Sequence, residues 1–79
     1  MKTLTIELNV EGEALELHLN KDGAEYLRDK LNVLINNDLQ DHCHLMTEDW
    51  GGNELTSKKQ SNSSTTKLLH SLKIIYWNS

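Results

Sequence analysis

Cysteine is nearly absent from this sequence. Cys43 is the only one, so no disulfide can close within the chain, and the composition fits a reducing compartment. Long apolar runs are missing as well: no stretch approaches the roughly 18 apolar residues that cross a bilayer. The opening residues, Met1-Lys2-Thr3-Leu4-Thr5-Ile6-Glu7, lack the apolar centre of a secretion signal. Basic clusters are limited to the pair Lys58-Lys59, and eight Lys and Arg stand against twelve Asp and Glu for a net charge of -4. That balance argues against nucleic-acid binding, which needs clustered cations to neutralise phosphates. The expectation is a cytoplasmic protein with neither a membrane nor a nucleic acid as partner. A mildly acidic surface serves solubility, and it also steers encounters with a basic protein.

What is present is 79 residues, 37% of them hydrophobic, enough for one core and therefore one domain over 1–79. Residues 3–10 alternate strictly, with Leu4, Ile6, Leu8 and Val10 on one side and Thr3, Thr5, Glu7 and Asn9 on the other. This is the two-residue period of a strand. After the turn Glu11-Gly12-Glu13 the alternation resumes with Leu15, Leu17 and Leu19 against Glu16 and His18, which makes an antiparallel hairpin. From Asn20 to about Asn37 the period becomes helical, with Ala24, Leu27, Leu31, Leu34 and Ile35 on one stripe, Asn20 or Asp22 as N-cap, and Asn36-Asn37-Asp38 as the stop.

Leu39 to Met46 reads as a third strand, and Glu54 to Ser57 as a short optional one. Between them, Asp49-Trp50-Gly51-Gly52-Asn53 reads as a turn in which both glycines supply positive φ. Residues 58–66 are polar and aperiodic, the signature of a solvated, mobile loop. Leu68 to Trp77 forms a last strand. The fold class is α+β: a four- to five-stranded, mostly antiparallel sheet in the order β-β-α-β-(β)-β, with one helix packed on one face. The other face should then be uncovered and carry Thr5, Glu7, Glu16, His18, His42 and His44.

Residues able to carry chemistry are few. His42-Cys43-His44 on a strand sets two imidazoles side by side, a spacing that suits half of a zinc or copper site, with His18 as a possible third ligand. Supporting carboxylates or cysteines at ligand spacing are lacking, and Cys43 projects away from both histidines, so neither a metal nor another cofactor is expected. The same geometry keeps the Cys43 thiol from a neighbouring histidine base, and Gly51-Gly52 lacks the lysine of a phosphate loop. No catalytic residues emerge, and an enzyme is not expected. Trp50 sits between two readings, a core residue or an interface anchor, because Trp is enriched in both settings.

The stretch His42-Cys43-His44-Leu45-Met46-Thr47-Glu48-Asp49-Trp50-Gly51-Gly52-Asn53-Glu54-Leu55-Thr56, followed by Leu69-His70-Ser71-Leu72-Lys73-Ile74, resembles the small bacterial immunity proteins of polymorphic toxin systems, in particular immunity protein family thirty-two. The resemblance follows the element order through most of the chain, and its specific part is about fifteen residues and the terminal His-x-Leu-Lys. It implies a non-enzymatic protein that binds a cognate toxin in the cytoplasm and neutralises it by direct contact. His42, His44, Trp50, Gly51, Gly52 and His70 match the family pattern. Candidate partner-binding residues are His18, His42, His44, Glu48, Asp49, Trp50 and His70, with the glycines more readily explained by the turn. The alternative is a self-associating or general interaction module, a homodimer among its forms.

Overall fold

The structure is a computed structural model and describes residues 1–77; the last two residues of the expected 1–79 domain lie outside it. Alternation produces β1 (Leu4–Asn9) and β2 (Ala14–Leu19), which pair antiparallel from Leu4↔Leu19 to Asn9↔Ala14. Helix α1 (Lys21–Asn36) follows at once, because Asn20 ends the strand and starts the helix. Its side-chain Oδ1 accepts from Gly23 N and from Thr3 N, each at 2.9 Å. An otherwise orphan helix amide and the hairpin end are thereby tied to one side chain. Asn37 closes the helix, as the asparagine cluster indicates.

The remaining strands are β3 (His42–Met46), β4 (Thr66–Leu69) and β5 (Ser71–Ile75). Two antiparallel sheets result, one ordered β2-β1-β4 and the other β3-β5, with the helix packed against them. The expected last strand is one line of chain that changes partner at His70: before it β4 pairs with β1, after it β5 pairs with β3. Thr47 N donates to His70 O at 3.0 Å and carries the pairing across the bend. Leu4, Ile6, Leu45 and Leu55 form the buried core, with Tyr26, Leu27, Cys43, Leu69, Leu72 and Ile74 around it.

Several expectations change on contact with the fold. The third strand begins at His42 rather than Leu39, which is 97% exposed in a turn held by Asn37. Glu54 to Ser57 is not a strand; Leu55 makes one isolated parallel bridge to Thr47, and Thr56 caps Leu4 through N→O and Oγ1←N bonds of 2.8 Å. The helix buries a stripe through Gly23 and Leu34, with Tyr26, Leu27 and Lys30 half-buried between them, so the expected apolar stripe is only partly covered and Leu31 and Ile35 remain exposed.

The expected uncovered face is in fact covered at β1: Thr5 and Glu7 are both 0% exposed. The polar segment expected as a solvated loop lies over them and supplies backbone donors. Gln60 N donates to Glu7 Oε2 at 2.7 Å, and Ser61 N to Glu7 Oε1 at 3.2 Å. Thr66, assigned to that loop by composition, is the first residue of β4. Glu16, His18, His42 and His44 keep at least partial exposure, as expected of them.

Candidate protein-binding site

Thr47 organises the region in which most of the candidate residues meet. It follows β3, is fully buried, and its carbonyl accepts from Trp50 N at 3.0 Å and from Gly52 N at 2.9 Å. These bonds wind Glu48–Trp50 into a single 3-10 turn. The two glycines that end it serve different needs, contrary to the expectation that both supply positive φ. Gly51 has φ 89° with open space around it, the left-handed conformation that favours glycine. Gly52 has no positive φ, but a Cβ there would stand 2.5 Å from Met46 O, so the backbone itself occupies the room a side chain would need.

The turn projects Trp50, which is 60% exposed. Its ring stacks on His70 with centroids 5.8 Å apart and planes 9° from parallel. His70 is fixed in turn by a 2.7 Å hydrogen bond between its Nδ1 and Thr47 Oγ1, and Asp49 Oδ2 lies 4.0 Å from the same nitrogen. Glu48 and Asp49 are both exposed beside the indole. Four candidates, Glu48, Asp49, Trp50 and His70, thus form one surface: an indole held by an imidazole and flanked by two carboxylates. Trp50 does not join the core.

Glu54, behind the turn, is structural. Its Oε1 accepts from Met46 N at 3.0 Å and its Oε2 from Asn53 N at 3.3 Å. The bond from Met46 leads the causes that hold this carboxyl below its ordinary pKa against the opposing effect of burial. Leu55, its neighbour in the motif, belongs to the core.

The other histidines sit apart from that surface. His42 and His44 alternate on the exposed side of β3 with Cys43 half-buried on the other, as the strand reading requires. Their rings meet edge to face at 5.4 Å. His42 Nδ1 bonds Asp41 Oδ1 at 2.7 Å, and this hydrogen bond is the first cause of the lowered pKa of Asp41. His18 lies on β2, in the other sheet from β3, and the ligand-type atoms gathered around it are those of Glu7 and Glu16. It does not complete a site with His42 and His44.

His18 instead completes a cluster that sequence reasoning missed. Its Nε2 lies 2.9 Å from Glu16 Oε1 and 3.8 Å from Glu7 Oε1, and the three residues offer atoms within 4.8 Å of one another. Three such ligand types could hold a metal ion. Each Glu7 oxygen, however, already accepts a backbone amide, and Oε2 also takes the Thr5 hydroxyl at 3.1 Å. Burial alone would raise the pKa of Glu7; the amides of Gln60 and Ser61, the Thr5 hydroxyl and the charge of His18 outweigh it and hold the carboxyl below its usual value. The arrangement is accounted for as a buried carboxylate with its donors. The sequence signal was present in the register of the hairpin, which sets Glu7 opposite Glu16 and Thr5 opposite His18.

No helix among the described residues is long and apolar enough to cross a membrane. Against protein-family models, curated proteins and solved structures alike, the chain finds no match, so the resemblance to immunity proteins rests on the residues of 42–56 and 69–74 that carry it.

Proposed function

We propose that this chain is a non-enzymatic binding protein that docks a partner on the surface centred on Trp50, and that the partner is a toxin which it neutralises by covering it. The observation that carries the binding reading is the exposed, pre-positioned indole. A large side chain at 60% exposure offers more apolar area than solubility needs, and stacking on His70 removes the freedom it would otherwise lose on binding. Interface anchors are enriched in Trp. Glu48 and Asp49 beside it favour a basic partner surface. The toxin identity follows from the resemblance, in which Trp50 and His70 both take part.

The test is growth of bacteria expressing the toxin that this reading expects to be encoded beside this chain. Co-expression of the wild-type chain should restore growth. Trp50→Ala should lose rescue and binding by more than tenfold while its thermal midpoint stays close to wild type, as for an exposed side chain. Full rescue by a folded Trp50→Ala protein would remove this surface from the contact, and no rescue by wild type would remove the toxin reading.

A further inference from the structure

β2 is the outermost strand of its sheet, and its two edges can be told apart. Asn20 N donates to Thr3 O at 3.2 Å, and these two residues continue the register beyond Leu4↔Leu19. Bonded and non-bonded pairs alternate in an antiparallel ladder. His18, Glu16 and Ala14 therefore turn their backbone groups towards β1, while the N–H and C=O groups of Leu15, Leu17 and Leu19 point outward. Such an edge templates another strand unless proline, charged side chains, lysine above all, or a bulge guards it; the charged-type residues of β2, Glu16 and His18, bond to each other on the face away from its leucines. The sequence contains no proline, and β2 has six residues without a lysine in an unbroken one-to-one register.

The side chains on this edge are equally unprotected. Leu15, Leu17 and Leu19 are 58%, 47% and 41% exposed. They share the helix side of the sheet, where Leu19 continues into an apolar groove with Leu27, Leu31 and Ile35 of α1. The chain is also extended for its size: its radius of gyration is 13.3 Å, against about 12 Å for a compact domain of this length.

We infer that β2 pairs antiparallel with β2 of a second copy, with Leu17 opposite Leu17 about a two-fold axis. Outward groups can bond only to outward groups, so Leu15, Leu17 and Leu19 must face one another. The one antiparallel register that uses all three sets Leu15 against Leu19 of the copy, Leu17 against Leu17, and Leu19 against Leu15, for about six backbone hydrogen bonds at two per bonded pair. The same register places Glu16 opposite His18 of the copy, twice, in the closer non-bonded pairs where Cβ atoms approach to about 4.5–5.5 Å. Each histidine then stands between carboxylates of both chains.

Charge selects this register over its neighbours. A shift of one bonded step in one direction puts Glu16 opposite Glu16, like charges directly across strands, and in the other puts His18 opposite His18, which forfeits both Glu16–His18 pairs. On the helix side, the leucines of both copies form one strip between the two α1 grooves. The interface is isologous and closes at two chains, as a two-fold contact must. The Trp50 surface is formed by the β3 end and His70 and takes no part in it.

Sedimentation of the full chain over a concentration series should show a species of twice 9.1 kDa. Leu17→Cys in a Cys43→Ser background should cross-link on mild oxidation, because bonded pairs hold Cα atoms about 5.5 Å apart, inside the disulfide range of roughly 4.4–6.8 Å. Leu15→Cys should not, since its counterpart lies four residues away along the strand, about 13 Å. Leu17→Lys should sediment as a monomer with an unchanged circular dichroism spectrum; if that variant does not fold, the wild-type mass and the cysteine contrast decide. A wild-type chain that stays monomeric throughout, cross-linking at both cysteines alike, or a folded Leu17→Lys dimer would each overturn the inference.

Discussion

β1 and β2 are written in the same pattern, run side by side in perfect register, and meet opposite fates. Leu4 and Ile6 are 1% and 3% exposed, whereas Leu19 and Leu17, directly across from them, are 41% and 47% exposed. Glu7 is wholly buried while the side chain of Glu16, its cross-strand neighbour, keeps 34% exposure. The difference lies in place rather than pattern. β1 is the central strand, with β4 on its far edge, core on one face and the 60–61 amides on the other; β2 has β1 on one edge and, among the described residues, no strand on the other. Alternation specifies which side of a sheet a residue takes, and strand order decides whether that side is closed.

Truncation should expose this difference most strongly. Ile6→Ala should cost about 3 kcal/mol, within the usual range for a large-to-small change in a closed core, while Leu17→Ala in the monomer should cost less than about 1 kcal/mol because half its surface is already in water. Chemical denaturation of both variants checks the ratio, and equal losses would mean that β2 is as enclosed as β1.

The carboxylates give the next largest contrast. With the pKa of Glu7 lowered in the folded state, the charged form is the one folding favours. Its contribution is present above the unfolded carboxylate value of about 4.3 and is lost as pH falls through the lower folded value. Glu7→Gln should therefore be less stable than wild type at neutral pH, by roughly 1–3 kcal/mol for charge-assisted bonds replaced by weaker ones, and the gap should narrow in acid. Thermal unfolding between about pH 2 and 7 measures it. A residual acid dependence should persist through Glu54, whose pKa is lowered as well. A gap that is constant with pH would show that the charge of Glu7 is not what the 60–61 amides recognise.

Local features were legible because local chemistry makes them. The hairpin, the Asn20 cap and the Asn37 stop all follow from short-range pattern. Long-range closure was not. Nothing periodic marks Gln60 and Ser61 as amide donors to a carboxylate more than fifty residues earlier. A run from Leu68 to Trp77 does not reveal that the chain changes sheets at His70. The helix stripe was legible as amphipathic, but which flank faces the core depends on where the strands lie, and Leu34 went in while Ile35 stayed out. Of the candidate site, Glu48, Asp49 and Trp50 were neighbours in sequence; the stacking of His70, twenty residues on, comes from the bend between β4 and β5.

Amide hydrogen exchange along β2, followed as protein concentration rises, tests the contrast between a closed strand and an open edge most directly. The amides of Leu15, Leu17 and Leu19 should exchange fast in dilute solution and slow together as copies pair, while those of Glu16 and His18, already bonded to β1, should stay protected at every concentration. Protection of all five amides in dilute solution, or fast exchange of the three leucine amides at every concentration, would contradict the account.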